Sequence, residues 1–265
     1  MHISICAPTE LARKIEQYTT TGWWVPAAAK QATPMMCILK KNGTLRTVFN
    51  LWQQNKNMWK DVTPFPDQVT IRHDIAQAKF RSKLDMTEAY EQTCIRPEDV
   101  GKMTFSIIFS TFQSRVMQIG DCNAPSIFQW LMTTIFWDFL GRFVHEYLDD
   151  IFIYYQSIWE HIEHTMKVLQ QLKESQFYLS KSKLDLFSDR TDCLGHVIND
   201  NGIHAVGQNA ANQGMENSPK LQWSPKIPST SAIPGPIHAR YNSIYHTIIR
   251  IGTKQPNLPV DTTTG

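Results

Sequence analysis

The stretch Phe143-Val144-His145-Glu146-Tyr147-Leu148-Asp149-Asp150-Ile151-Phe152-Ile153-Tyr154-Tyr155 constrains the fold more tightly than any other. Its arms are rich in β-branched and aromatic side chains, so they predict strands. Leu148-Asp149-Asp150 between them predicts a hairpin tip with two adjacent carboxylates. Adjacent carboxylates repel, and an apolar setting raises that cost. One explanation is an ordinary polar turn, because Asp is a common turn residue. The other is a hard cation, since Mg2+ takes one or two carboxylates together with substrate phosphates. Two such ions about 3.5–4 Å apart stabilise both the attacking and the leaving oxygen of a phosphoryl transfer. That chemistry needs a further carboxylate from a neighbouring strand. Asp85, at the end of the strand predicted over 80–86, is the candidate.

The surrounding text predicts an α+β chain. A short helix is expected over 11–18. The runs 36–39 and 45–49 flank Asn42-Gly43, a strong two-residue turn signal, and suit a hairpin. A loop holding Pro64 and Pro66 follows, and further strands are expected over 105–109 and 116–119. The doublets Ile127/Phe128, Leu131/Met132, Ile135/Phe136 and Phe139/Leu140 recur every four residues, which gives a helix one broad buried face. Asn123 is its expected N-cap, with Pro125 in the first turn. Ile158, Ile162, Met166, Leu169 and Leu172 predict a second helix, and strands are expected over 177–187 and 191–198. This order implies an antiparallel sheet with helices on one face.

Composition excludes several classes. With 42% hydrophobic residues the chain is neither wholly disordered nor collagen-like. The net charge is +2, so nucleic-acid binding would rest on a local patch rather than a global field. Cys6, Cys37, Cys94, Cys122 and Cys193 are scattered and form no Cys-x-x-Cys pair, which argues against a zinc knuckle or a disulfide framework and fits a reducing compartment. Residues 1–14 show no signal-peptide pattern. The most apolar stretch, 126–141, contains Gln129 and Asp138 and reads as a buried helix rather than a membrane span. The expected location is intracellular, in the cytoplasm or the nucleus, with no membrane partner.

Four motifs in order then carry a resemblance. Ser82-Lys83-Leu84-Asp85-Met86, Gly120-Asp121-Cys122-Asn123-Ala124-Pro125-Ser126-Ile127-Phe128-Gln129, Tyr147-Leu148-Asp149-Asp150 and Leu194-Gly195-His196 resemble the reverse transcriptases of gypsy-type LTR retrotransposons. Lys40-Lys41-Asn42-Gly43-Thr44-Leu45-Arg46 is similar to that family's fingers hairpin. The resemblance implies a right-hand polymerase fold: an N-terminal extension over 1–11, fingers over 12–79, and a ferredoxin-like palm with some fingers elements over 80–205. It implies an RNA-directed DNA polymerase in which Asp85, Asp149 and Asp150 bind two Mg2+ ions, with Mn2+ as a substitute. Lys40, Lys41, Arg46, Tyr90, Gly120 and Lys183 would contact the dNTP, Tyr90 by excluding a 2′-hydroxyl. Tyr147, Asn123, Pro125, Gln129, Gly195 and His196 would contact an RNA or DNA template and its primer.

The sequence also departs from the family. Where the family reads Val-Asp-x-Arg, this chain reads Phe49-Asn50-Leu51-Trp52, so a charge pair and a phosphate contact are lost. Residues 206–265 hold 7 of the 14 Pro, 2 of the 24 acidic residues and none of the 13 Phe. A thumb or connection region is therefore expected to be absent or degenerate, with this tail disordered or out of frame. These departures favour the alternative of an impaired remnant that at most binds nucleic acid. Under the frameshift reading, translating the coding DNA beyond codon 205 in the other two frames restores a Phe-Leu-Gly-like segment. Its absence from both frames contradicts that reading.

Overall fold

The computed structural model describes residues 8–39, 45–108 and 110–205, together with Ile244 and Thr247. The expectations for Lys40, Lys41 and the Asn42-Gly43 turn lie outside the described residues, as does that for the tail beyond Ala205.

In chain order the elements are α1 (Pro8–Thr20), β1 (Trp24–Pro26), β2 (Thr33–Leu39), β3 (Leu45–Phe49), α2 (Trp52–Asn57), α3 (Gln68–Gln77), β4 (Phe80–Asp85), β5 (Thr104–Ser106) and β6 (Thr111–Ser114). They continue with α4 (Ala124–Ile135), β7 (Val144–Tyr147), β8 (Asp150–Tyr155), α5 (Ile158–Glu174), β9 (Asp185–Ser188), β10 (Arg190–Cys193), β11 (His196–Asn199) and β12 (Gly202–Ala205). The fold is mixed α+β. No described helix is long and apolar enough to cross a membrane. The chain forms two compact units. Of the described residues, one takes those up to Thr63 and Glu88–Phe128; the other takes Pro64–Thr87 and those from Gln129 onward.

The first unit carries a five-stranded sheet of order β1-β6-β5-β2-β3. The predicted hairpin arms pair as β2 and β3, with Cys37 opposite Thr47. The core is aromatic: Tyr18, Trp23, Trp24, Phe49, Phe105 and Phe112 are buried together. Trp24 meets Tyr18 and Phe105 edge-on at 4.6 and 4.8 Å, and Phe49 meets Phe105 at 4.8 Å. Such edge-to-face pairs add about 0.5–1.5 kcal/mol each beyond the area they bury.

The second unit carries an antiparallel sheet of order β7-β8-β4-β9 and a smaller one of order β10-β11-β12. Helix α3 buries Ile71 and Ile75 against Phe152 and Tyr154 of β8. On the other face, α5 reaches β4 through the His161 Nε2–Ser82 Oγ hydrogen bond at 2.8 Å. With both faces covered, β8 is an almost continuous apolar run. Helix α3 starts at the Asp67 side chain, which accepts the Thr70 N–H at 2.8 Å. It ends under Arg81, whose buried guanidinium donates to the carbonyls of Ile75 and Ala76 at 2.9 and 3.3 Å.

Several local expectations shift. The strand expected over 105–109 is only Thr104–Ser106, and that expected over 116–119 is replaced by Thr111–Ser114. Phe112 and Ser114 point inward there, so alternation decides, while Val116 is buried with only an isolated bridge to Cys94. Burial without a ladder gives the same apolar text as a strand. Helix α4 ends at Ile135, and the chain then turns into β7, where the Phe139 carbonyl accepts from Arg142, Phe143 and Val144. The run 191–198 is a hairpin of β10 and β11. Leu194 and Gly195, both with positive φ, form its two-residue turn.

Gly120 has φ +119°, and a Cβ there would collide with the Phe49 carbonyl oxygen. Gly120→Ala is therefore expected to lower stability by about 1–3 kcal/mol. A urea-denaturation midpoint equal to that of the parent chain would contradict this.

Candidate active site

The register of the second unit brings the carboxylates together. In the β4–β8 ladder Asp85 lies opposite Asp150, and in the β7–β8 hairpin Tyr147 lies opposite Asp150. Directly opposed residues of an antiparallel pair share a face, so Asp85 and Asp150 are neighbours. The hairpin turn is Leu148-Asp149. Leu148 has φ +55°, a left-handed conformation that costs a Leu side chain free energy. The Met86 N–H donates to the Asp149 carbonyl at 3.3 Å, which ties the end of β4 to the turn. Asp85 is buried, Asp150 is half-buried and Asp149 is exposed.

Each of the two less exposed carboxylates has a lysine. Lys183 Nζ lies 2.9 and 3.2 Å from the two Asp85 oxygens, on a side chain 60% exposed. Lys83 Nζ lies 2.9 Å from Asp150 Oδ2 and 3.3 Å from the Asp192 carbonyl, on a side chain 18% exposed. Burial pushes the Asp85 carboxyl above the ordinary carboxylate range; Lys183 pulls it back, and the charges of Asp149 and Asp150 push it up. Burial likewise raises Asp150 against the pull of Lys83.

Among the described residues, no group of three His, Cys, Asp or Glu side chains is placed to hold a metal ion by itself. Of the three expected aspartate ligands, Asp150 is paired with Lys83 and Asp85 with Lys183. Asp85 and Asp149 still fit the cation. Mg2+ uses one or two protein carboxylates and completes its shell with water and phosphate oxygens, and the Asp85 carboxylate already senses the Asp149 charge.

A buried polar network holds the turn. Gln129, from α4, is fully buried. Its Oε1 accepts the Leu148 N–H at 3.1 Å, and its Nε2 donates to Glu146 Oε2. Thr133 Oγ1 donates to Glu146 Oε1 at 2.8 Å. Gln129 therefore positions the strained turn; the expected template contact is corrected, because a buried amide cannot reach a ligand. Burial raises the Glu146 carboxyl, and the hydrogen bonds from Thr133 and Gln129 oppose that shift.

The other expected residues divide between the units. In the second, Tyr147 accepts a hydrogen bond from Gln68 Nε2 at 2.7 Å and packs on Phe65, while Gly195 lies in the β10–β11 turn and His196 opens β11. In the first, Arg46 is exposed on β3, and the half-buried Tyr90 meets Phe128 edge-on at 5.5 Å. Gly120 and Cys122 are held by Asn55, whose amide donates to the Gly120 carbonyl at 2.9 Å and accepts the Cys122 N–H at 3.1 Å. Pro125 sits in the first turn of α4. Asn123 precedes that helix, but its side chain does not cap it. It accepts from Asp61 N–H and donates to the Trp59 carbonyl, so it pins the 59–61 segment instead. Trp52, at the position of the missing arginine, is exposed, with Lys56 Nζ 3.5 Å over its ring. Sequence reasoning missed Lys83, Gln68, Asn55 and the Glu146 network; the only signal for Glu146 is an acid inside an apolar strand.

The folded chain holds the Glu146 proton more tightly than the unfolded chain does. Parent stability should therefore fall as pH rises from the ordinary carboxylate value through the raised one. Glu146→Gln, which keeps an oxygen for Gln129 and removes the charge, should gain on the parent chain as pH rises from about 4 to about 8. Thermal melts with a constant difference across that range would contradict this.

The chain matches the family model for reverse transcriptase (RNA-dependent DNA polymerase) over residues 36–198. It is 30% identical over 196 residues to the transposon Tf2-3 polyprotein of Schizosaccharomyces pombe, and 29% identical to the Tf2-7 polyprotein of the same organism. Those matches cover 74% of this chain but only 15% of each polyprotein. Among solved structures it is similar to a foamy viral protease-reverse transcriptase in complex with double-stranded DNA (TM-score 0.73, 19% identity, covering 82% of this chain and 38% of that one). A second foamy viral structure, in complex with an RNA/DNA hybrid, gives a TM-score of 0.72 at 19% identity over 82% of this chain and 29% of the other. The identity in these structures carries the fold alone, but the family match spans more than half of the chain, which therefore belongs to the reverse transcriptase (RNA-dependent DNA polymerase) family.

Proposed function

We propose that this chain is the fingers and palm part of an RNA-directed DNA polymerase from a gypsy-type LTR retrotransposon. The first unit corresponds to the fingers and the second to the palm. The observation that carries this reading is the meeting of Asp85, at the end of β4, with Asp149 in the hairpin turn and Asp150 at the start of β8. The reaction joins the primer 3′-hydroxyl oxygen to the α-phosphorus of a dNTP. The bond between that phosphorus and the bridging oxygen breaks, pyrophosphate leaves, and the hydroxyl proton passes to solvent.

Asp85 and Asp149 would hold two Mg2+ ions, or Mn2+, together with the dNTP phosphates; bound there, the metal would supply the positive charge that stabilises attacking and leaving oxygens. Lys40, Lys41 and Arg46 would meet the triphosphate, for which the guanidinium suits bidentate contact. Lys183, being largely exposed on Asp85, is free to move toward phosphate. Tyr90 would lie under the sugar. Tyr147, Gly195 and His196 would meet the primer, and Lys56 beside Trp52 keeps a cation where the family's arginine is missing. The nucleic-acid complexes of the foamy viral neighbours support a template-primer duplex as partner. Contacts would be to phosphate and sugar, hence salt-sensitive and without sequence preference.

Primer extension on an RNA template with Mg2+ tests this. The parent chain should extend the primer, and Asp149→Asn should lose about two to three orders of magnitude in rate. Equal extension by both, or none by either, would overturn the catalytic reading.

A further inference from the structure

We infer that Lys83 is a positioning residue that keeps Asp150 out of the metal-binding pair and ties Asp150, beside the Leu148-Asp149 turn, to the β10–β11 hairpin. The two lysines beside the carboxylates differ in kind. Lys183 is largely exposed, and the Asp85 carboxylate is its described partner. It can leave for solvent at little cost when a cation takes its place. Lys83 is mostly buried and three-way anchored. Its ammonium meets Asp150 Oδ2 at 2.9 Å, donates to the Asp192 carbonyl at 3.3 Å and lies 5.4 Å from the centre of the Phe152 ring. Releasing Asp150 would leave a buried ammonium short of a partner, and breaking a buried pair is far more costly than breaking an exposed one.

The position of Lys83 follows from strand periodicity. Lys83 and Asp85 are two apart on β4, so they share a face, and Asp150 opposes Asp85 across the ladder. Lys83 thus reaches Asp150 diagonally along one face. Its second partner, Asp192, is two residues before Leu194, the first residue of the β10–β11 turn. A single ammonium therefore couples the carboxylate turn to the hairpin carrying Gly195 and His196. The consequence for catalysis rests on the polymerase reading; the clamp itself does not.

The test has two arms. In EDTA, urea midpoints are measured for the parent chain, Lys83→Met, Asp150→Asn and the double variant. Each single change should lower the midpoint, and the double variant should lie well above the sum of the two losses. Additive losses would overturn the clamp. In the second arm, Mn2+ is titrated by electron paramagnetic resonance. Asp149→Asn should weaken Mn2+ by at least about tenfold, whereas Asp150→Asn should change it by less than about threefold while Lys83 is present. In the Lys83→Met background the unpaired Asp150 becomes available to the ion, and Asp150→Asn should then cost about tenfold. Loss of Mn2+ by Asp150→Asn as severe as by Asp149→Asn, with Lys83 intact, would overturn the inference. A parent chain that binds no Mn2+ would contradict the polymerase reading, and the EDTA cycle would still decide the clamp.

Discussion

The register of β4 against β8 is the constraint on which the candidate site depends. It places Asp85 opposite Asp150 and leaves a two-residue turn between Tyr147 and Asp150. Because side chains alternate, a slip of one residue would send every side chain of β8 to the other face. Here both faces are covered, by α3 on one side and α5 on the other, so a slipped strand would exchange two differently shaped packing surfaces. The carboxylates are thus brought together by the packing of Ile151, Phe152, Ile153 and Tyr154, all of them buried. An apolar strand ending in acids is the sequence form of that arrangement.

The same hairpin holds a strained residue. Leu148 sits at φ +55° where Gly is the usual choice. Its N–H is held by the fully buried amide of Gln129, which is itself held by Glu146, and that acid is held by Thr133. A polar network in a core is tolerable only when its members are satisfied, and these satisfy one another. Strain at the turn and a buried acid behind it are two parts of one device that fixes where Asp149 projects.

Much of this was legible in the sequence because it rests on local pattern. The acids at the hairpin tip, the strand ending at Asp85 and the helix running from Ile158 follow from alternation or from 3.6-residue spacing. What failed depends on partners distant in the chain. Thr111–Ser114 is a strand because β1 and β5 flank it, not because Thr-Phe-Gln-Ser looks like one. The amides of Gln129 and Asn123 serve Leu148 and the 59–61 segment, which no local pattern reveals. Lys83 lies in a strand-like run, and its pairing with Asp150, 67 positions away, exists only after the ladder has formed. Leu194-Gly195 is the exception: a turn signal was present and the apolar residues around it obscured it.

The scaffold sets the carboxylate turn before any metal or nucleic acid arrives. Amide hydrogen exchange of Leu148 in the metal-free protein tests it most directly. Exchange should be slow in the parent chain and fast in Gln129→Ala. Exchange at the rate of an unprotected amide in the parent chain would contradict it.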